Sequence, residues 1–496
     1  MESPPPKRNF GDGGEDGISA LPDHLLLDIL ERLDLREAVR AGALSTRWRH
    51  LPGHLSRVRL DVAHFRGATP LEVMDAFTGA ARALLTRVPP AEGGPLKVLV
   101  LSFYTSSPHL SSIGRLIEDI VSLGHTQCLE FCISPPGTNP LGSNIEIGQE
   151  FMAFSRAYPV AFSWLTTLTL EYHAFGNSDI TDLISACGRL RHLSLRFCRL
   201  LDLHSTLRID VPCSELQELE FIGLLCTRIE LVSVPKLRQV ECKCWLFNNP
   251  PVRFGYVPEL RGLVLASKAK AWQEPFALSE CLSTSAGARN LSTLTLCFGY
   301  QMVNLINFCA PLKYKSSASS YHVFFSTSFS CACMFLLQIW IQPEPPKQRI
   351  AIFRNLTSVR LFGIFCECDL SWTLFILEAA PALHDLALSR HSCVKTPENS
   401  AEKTNVVWEP SKDLKHPNLK VLQIFGCGDE DKVTNYIRLV MERAVGLLII
   451  RLYGENPCTY CDAGNLERSQ AEKAGRRRIK EQLTHGSSSS VEIIIC

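Results

Sequence analysis

The chain has 496 residues, 46% of them hydrophobic and 20% charged, and its 51 Lys and Arg nearly cancel its 50 Asp and Glu. This balance excludes a disordered polyelectrolyte and a generally basic nucleic-acid binder, and the length allows roughly three domains of about 150 residues or one extended array. The 20 cysteines lack the spacing of a disulfide framework, and so long a chain does not need stapling, so the thiols are expected to be free, in a reducing compartment.

Residues 1–17 (MESPPPKRNFGDGGEDG) contain no apolar run of the kind a secretory signal requires, so an intracellular protein with a disordered N-terminal stretch is expected. A helical module follows from Ile18 to Leu51. Pro22 suits the first position of a helix whose Leu25, Leu26, Ile29, Leu30 and Leu33 form a wide apolar stripe. A second helix is expected to turn Leu35, Ala38, Val39 and Gly42 inward, and Ser45 suits the N-cap of a short third helix carrying Trp48 and Leu51. Some 35 residues cannot bury that many large apolar groups among themselves. The surplus must dock, either on the neighbouring array as its cap or on the helices of a partner, and the residues alone leave both open.

From Leu96 onward a pattern Leu-x-x-Leu-x-Leu, with Val, Ile, Phe or Cys tolerated, occurs eleven times. Its hits are 96/99/101, 165/168/170, 190/193/195, 216/219/221, 237/240/242, 260/263/265, 291/294/296, 356/359/361, 383/386/388, 419/422/424 and 447/450/452. The five intervals between 165 and 291 run from 21 to 31 residues, close to the period of leucine-rich repeats. The last two apolar positions alternate with polar ones, as in Arg191-His192-Leu193-Ser194-Leu195-Arg196, which is the signature of a short strand buried on one face. Such strands fold only when stacked, so the reading is an α/β leucine-rich-repeat solenoid with a parallel sheet on the concave side and helices and irregular segments outside. Helical return segments are visible at 113–120, 180–187 and 433–444, where apolar residues recur every three or four positions before Gly124, Gly188 and Gly446. Target contacts are expected at polar positions between the strand leucines, such as Arg191, His192, Ser194 and Arg196, or Thr166, Thr167 and Thr169. Their mixed chemistry does not identify the target.

One long interval, 291 to 356, contains Val323–Ile341, 19 residues without a formal charge. Serines, cysteines, a threonine and a glutamine weaken a membrane-span reading, and removing residues 313–346 restores a normal repeat length. Residues 313–346 are therefore read as an insertion foreign to the fold. The 466–480 segment is locally basic, suiting a solvated helix end, an import signal or an acidic partner, within an end expected to be flexible.

No phosphate-cradling loop, nucleophile elbow or zinc-protease helix occurs, so no catalytic residue, metal ligand or cofactor is expected. His50 and His54 are separated by Pro52-Gly53, and Cys458-Thr459-Tyr460-Cys461 has no second ligand pair.

Leu21-Pro22-Asp23-His24-Leu25-Leu26-Leu27-Asp28-Ile29-Leu30, followed by Ala43-Leu44-Ser45-Thr46-Arg47-Trp48-Arg49, resembles the F-box of plant F-box proteins with leucine-rich repeats. The resemblance implies a three-helix F-box that binds a Skp-type adaptor and through it a cullin ubiquitin ligase, with Leu21, Pro22, Leu26, Ile29, Val39, Leu44 and Trp48 at the adaptor. The stretch from His416 to Leu447 is similar to the FBD region of many such proteins. The expected organisation is 1–17 disordered, 18–60 F-box, 61–312 and 347–410 leucine-rich repeats around the 313–346 insertion, 411–456 FBD-like, and 457–496 a basic flexible tail. It implies a non-catalytic, substrate-selecting ligase subunit in cytoplasm or nucleus, its partners an adaptor and an unknown target protein, with no nucleic acid or membrane. The rival is a repeat scaffold without a ligase role.

Overall fold

The computed structural model describes residues 21–33, 35–42, 48–86, 96–124, 126–137, 144–268, 273–282, 290–299, 339–344, 350–365, 368–391, 408–411, 413–426, 430–454, 466–485 and 491–496. They fall into two compact units, Met1–Cys132 and Ile133–Cys496.

In the first unit a helix spans Asp23–Leu30, and Pro22 stands just before it in an extended conformation rather than inside its first turn. Leu26 and Leu30 are fully buried, as is Ala38 on the next helix, Leu35–Ala41. A 3-10 turn at Leu51–His54 packs against the first helix and places the His50 and His54 rings 6.0 Å apart, closer than the intervening Pro-Gly suggested. Glu31, at the end of the first helix, accepts hydrogen bonds from the Ser56 amide (3.1 Å) and hydroxyl (2.6 Å). That contact ties the helical module to the strand Arg57–Asp61, which pairs in parallel with Val98–Tyr104 so that Val58 and Leu60 meet Leu99 and Leu101. Thr69 caps the helix Pro70–Leu85, which packs on the helix Ser107–Ser122 and is joined to it by His109 Nε2 and Asp75 Oδ1 at 2.8 Å. The second of these helices buries Ile113, Ile117 and Ile120 and its chain reverses at Gly124 with φ +77°, the left-handed conformation that glycine adopts without strain.

The second unit carries a parallel sheet whose eleven strands, among the described residues, follow chain order: Leu165–Glu171, His192–Arg196, Glu218–Ile222, Gln239–Lys243, Gly262–Ala266, Thr293–Cys297, Ser358–Phe365, Asp385–His391, Val421–Phe425, Ile449–Tyr453 and Glu492–Ile495. The repeat pattern sets the register. Leu168, Leu193, Leu219, Val240, Leu263, Leu294, Val359, Leu386, Leu422, Ile450 and Ile493 stand in one line across the sheet. The apolar residues two positions on form a parallel line, and both lines are buried to within a few per cent except at Ile495 on the last strand, which is half-buried. In this unit the first leucine of each motif is likewise buried, at the start of the strand for Leu165 and just before it for the others.

The return segments only partly match expectation. Helices at Asp179–Ala186 and Glu430–Arg443 bury the anticipated Ile180, Leu183, Ile184, Val433, Ile437 and Val440, although Met441 is only half-buried, neither Gly188 nor Gly446 takes up the left-handed conformation and Cys187 closes the first of them. Between 200 and 260, however, the return segments are strands: Thr206–Asp210, Arg228–Ser233 and Val252–Tyr256 form a second parallel sheet. Length alone does not decide this, because the 25-residue repeat from Leu165 to Leu190 returns through the helix Asp179–Ala186. Leu207 and Ile209, Ile229 and Leu231, and Val252 and Phe254 alternate with polar residues as half-buried strands require.

Two further expectations are corrected. Residues 313–338 lie outside the described residues, but Ile339–Glu344, assigned by sequence to the foreign insertion, belong to the fold. Trp340 is 1% exposed among Trp245, Phe276 and Phe298, and its Nε1 donates to the Ser267 carbonyl at 2.9 Å. The end of the chain is not a flexible tail. Leu466–Thr484 is a helix that buries Ile479 and Leu483 and packs on Glu430–Arg443, and Glu492–Ile495 continues the main sheet. Charged residues dominate that helix, and the two apolar residues at i and i+4 are a faint signal beside them.

Candidate functional site

Two surfaces carry the residues singled out by sequence, one in each unit. In the first unit the helices Asp23–Leu30 and Leu35–Ala41 sort their apolar residues sharply. Leu26 and Leu30 are inside, whereas Leu25 (39%), Ile29 (38%), Leu33 (38%) and Val39 (51%) remain open to solvent. Val39 faces outward, contrary to the inward position its helical spacing suggested. Of the residues carried over by resemblance, Pro22, Ile29 and Val39 are exposed and Leu21 is half-buried. Leu26 and Trp48 are covered by the unit itself, and Leu44 lies outside the described residues. Leu25 and Leu33 complete the open patch; the same stripe that revealed the helix contains them. Covering what remains open of each of these four side chains is worth about 1 kcal/mol, so the patch offers about 4 kcal/mol of apolar burial.

In the second unit the polar positions between the strand leucines stand side by side on adjacent strands. Thr167 pairs with His192, Thr169 with Ser194 and Glu171 with Arg196 on one face of adjacent strands. Arg191 is exposed and Thr166 half-buried at the strand entrances, where the Arg191 amide donates to the Thr166 carbonyl at 2.9 Å. Ser194 is fully buried, so it acts on its neighbours rather than on solvent. Its hydroxyl donates to Glu220 at 2.6 Å. Arg196 meets Glu220 at 3.1 Å and Glu171 at 3.6 Å, and Lys243 meets Glu220 at 3.2 Å and Glu241 at 2.5 Å. His192 Nδ1 lies 3.0 Å from Glu218.

Burial alone would raise the Glu220 carboxyl, but the Ser194 hydroxyl and the charges of Arg196 and Lys243 outweigh it and hold the group below its usual range. Burial likewise works against the Lys243 ammonium, and Glu241 and Glu220 overcome it and raise its pKa. Glu218, Glu220, Glu241 and Lys243 were missed by the sequence reading although they occupy the same slots of the next two repeats. The result is a cross-strand lattice of charges that are satisfied by one another. Deeper in the unit, the thiols of Cys198 and Cys226 are pushed up to about 12 by burial and stay protonated. Among the described residues no three His, Cys, Asp or Glu side chains gather in a metal-binding group, and no helix is long and apolar enough to cross a membrane.

Residues 18–58 match the F-box domain family. An F-box/FBD/LRR-repeat protein of Arabidopsis thaliana is 25% identical over 440 residues, covering 85% of this chain and 87% of the relative. A putative FBD-associated F-box protein of the same plant is 28% identical over 194 residues, 36% of this chain and 39% of its own length. A putative F-box/LRR-repeat protein is 25% identical over 253 residues, 47% of this chain and 50% of the relative. The chain therefore carries an F-box domain near its N-terminus and is similar, over most of its length, to an F-box/FBD/LRR-repeat protein of Arabidopsis thaliana.

Proposed function

We propose that this chain is the substrate-recognition subunit of a Skp/cullin/F-box ubiquitin ligase, with its repeats stacked as a leucine-rich-repeat solenoid that holds a target protein. The observation that carries the reading is that Leu25, Ile29, Leu33 and Val39 all stay open to solvent on helices whose inward faces are already satisfied within the unit. A soluble domain gains nothing from four large apolar side chains on one short helical module unless another polypeptide covers them. The subunit performs no bond chemistry; holding a target near a ubiquitin-loaded enzyme raises the effective concentration of its lysines.

Ile29→Asp and Val39→Asp place charges into the patch without touching the buried Leu26, Leu30 or Ala38. Capture by a purified Skp-type adaptor is expected for the wild type and is lost, by tenfold or more in affinity, in the double variant with unchanged circular dichroism. A wild type that fails to bind the adaptor favours the alternative, a leucine-rich-repeat scaffold with no ligase role.

A further inference from the structure

The face of the main sheet changes character along its length. Between Glu171 and Lys243 its cations are answered by carboxylates on neighbouring strands. Over Ser358–Phe365, Asp385–His391, Val421–Phe425 and Ile449–Tyr453 they are not. There the register places Arg360, Ala387, Gln423 and Arg451 in one row. Arg360 is exposed and Arg451 half-buried, and neither has a carboxylate at ion-pair distance among the described residues. The one acidic side chain on these four strands that faces the same way, Asp385, stands in the preceding row and accepts a hydrogen bond from Gln423 at 2.9 Å.

The next row is aromatic. Phe425 and Tyr453 pair across adjacent strands with ring centroids 4.3 Å apart and planes 7° from parallel. Ser389 stands beside Phe425 in register, and Phe362 follows Leu361, the partner of Leu388. Phe362, Phe425 and Tyr453 all keep part of their surface open, whereas Ala387 and Ser389 are small and recessed at 5% and 8% exposure. Two unanswered guanidiniums thus stand at the ends of a row that runs beside aromatic rings, with a shallow step at Ala387 and Ser389.

Resting on the substrate-receptor reading, we propose that this face docks the target as an extended acidic segment with apolar or aromatic residues between its carboxylates. A guanidinium gains most from a carboxylate, which it grips through two parallel N–H donors, and the stacked rings offer a flat apolar seat beside it. Arg360 and Arg451 are three strands apart, roughly 14 Å at the usual spacing, which an extended chain covers in about four residues. The segment therefore carries acidic side chains at i and i+4, running across the strands.

The test uses the full chain bound to a Skp-type adaptor and a fluorescein-labelled peptide containing Glu-Phe-Gly-Leu-Glu, read by fluorescence anisotropy at low salt. Saturable binding that weakens with salt is expected. It falls at least tenfold in R360E/R451E and in F425A/Y453A, and for the same peptide with lysines in place of both glutamates. R208E, on the second sheet, leaves it unchanged. Absence of saturable binding by the wild type, or binding within twofold by R360E/R451E, overturns the proposal. Adaptor capture is measured in the same samples. Its persistence without peptide binding removes this inference alone, whereas its absence removes the receptor reading beneath it.

Discussion

Trp340 offers the sharpest check on where the repeat array ends and its insertion begins. The indole sits 5.0 Å from Trp245, 5.7 Å from Phe276 and 5.0 Å from Phe298, with 1% of its surface exposed. Backbone bonds between Phe276 and the flanking residues, 3.0 Å to the Trp340 carbonyl and 2.9 Å from the Gln342 amide, hold the segment in place. Truncation to alanine opens a cavity in this cage and costs about 3–5 kcal/mol, with about 1 kcal/mol more for the orphaned Ser267 carbonyl. Trp340→Phe keeps most of the packing and loses the hydrogen bond, costing about 1–2 kcal/mol. Deletion of 301–337 with a short Gly-Ser bridge has the opposite sign. Phe298 and Trp340 touch, so the chain leaves and returns at one place, and a short bridge between them is expected to keep the cooperative transition and its midpoint at or above that of the wild type. Urea unfolding of the three variants beside the wild type reads all of these shifts. A silent Trp340→Ala, or a deletion that abolishes the cooperative transition, would refute the assignment of Ile339–Glu344 to the fold and of the preceding stretch to an insertion.

Other outcomes follow from buried groups. His173 is fully buried against Phe151 and Phe175, and burial lowers its pKa from 6.5 to about 4, only partly offset by its hydrogen bond to the Glu171 carbonyl. The folded state binds this proton less readily than the unfolded chain, so stability is complete above pH 6.5 and falls by about 3 kcal/mol as pH drops toward 4; His173→Leu flattens that part of the urea-midpoint profile. Glu220→Gln leaves Arg196 and Lys243 without their shared carboxylate and is expected to cost about 1–3 kcal/mol in thermal unfolding, a loss that rises at low ionic strength. Phe197 holds φ +52° while stacked 5.0 Å from Tyr172. Both truncations there are destabilising, but the Phe197→Gly protein should be more stable than the Phe197→Ala protein by about 1 kcal/mol, reversing the usual order because alanine keeps the left-handed penalty. Equal midpoints for the two would remove that strain argument.

The sheet was legible because its signal is short-range and repeated: every strand of the second unit's main sheet except the last, Glu492–Ile495, begins at or just after a motif leucine named from the sequence. The second sheet was hidden for a different reason. Thr206–Asp210, Arg228–Ser233 and Val252–Tyr256 show period-two alternation, but each is five or six residues long and has no leucine signature. In the first unit, helical spacing marked Leu25, Leu26, Ile29 and Leu30 as one stripe without separating the pair that faces inward from the pair that faces out, since both lie within a single broad arc. At the sheet face, Arg196 and Ser194 were found while their partner Glu220 was not, because a carboxylate between two leucines looks like any solvated strand residue until the register sets it opposite a cation.

The strict chain-order pairing of the main sheet bears on how such proteins change size. In this ladder each strand pairs only with its predecessor and successor, so a whole rung gained or lost leaves every other strand pairing intact and one new seam to heal. A single codon removed inside a strand instead turns its aliphatic side chains toward water and breaks both seams at once. Length variation among kin of this chain should therefore arrive in complete rungs, or as loops spliced between them.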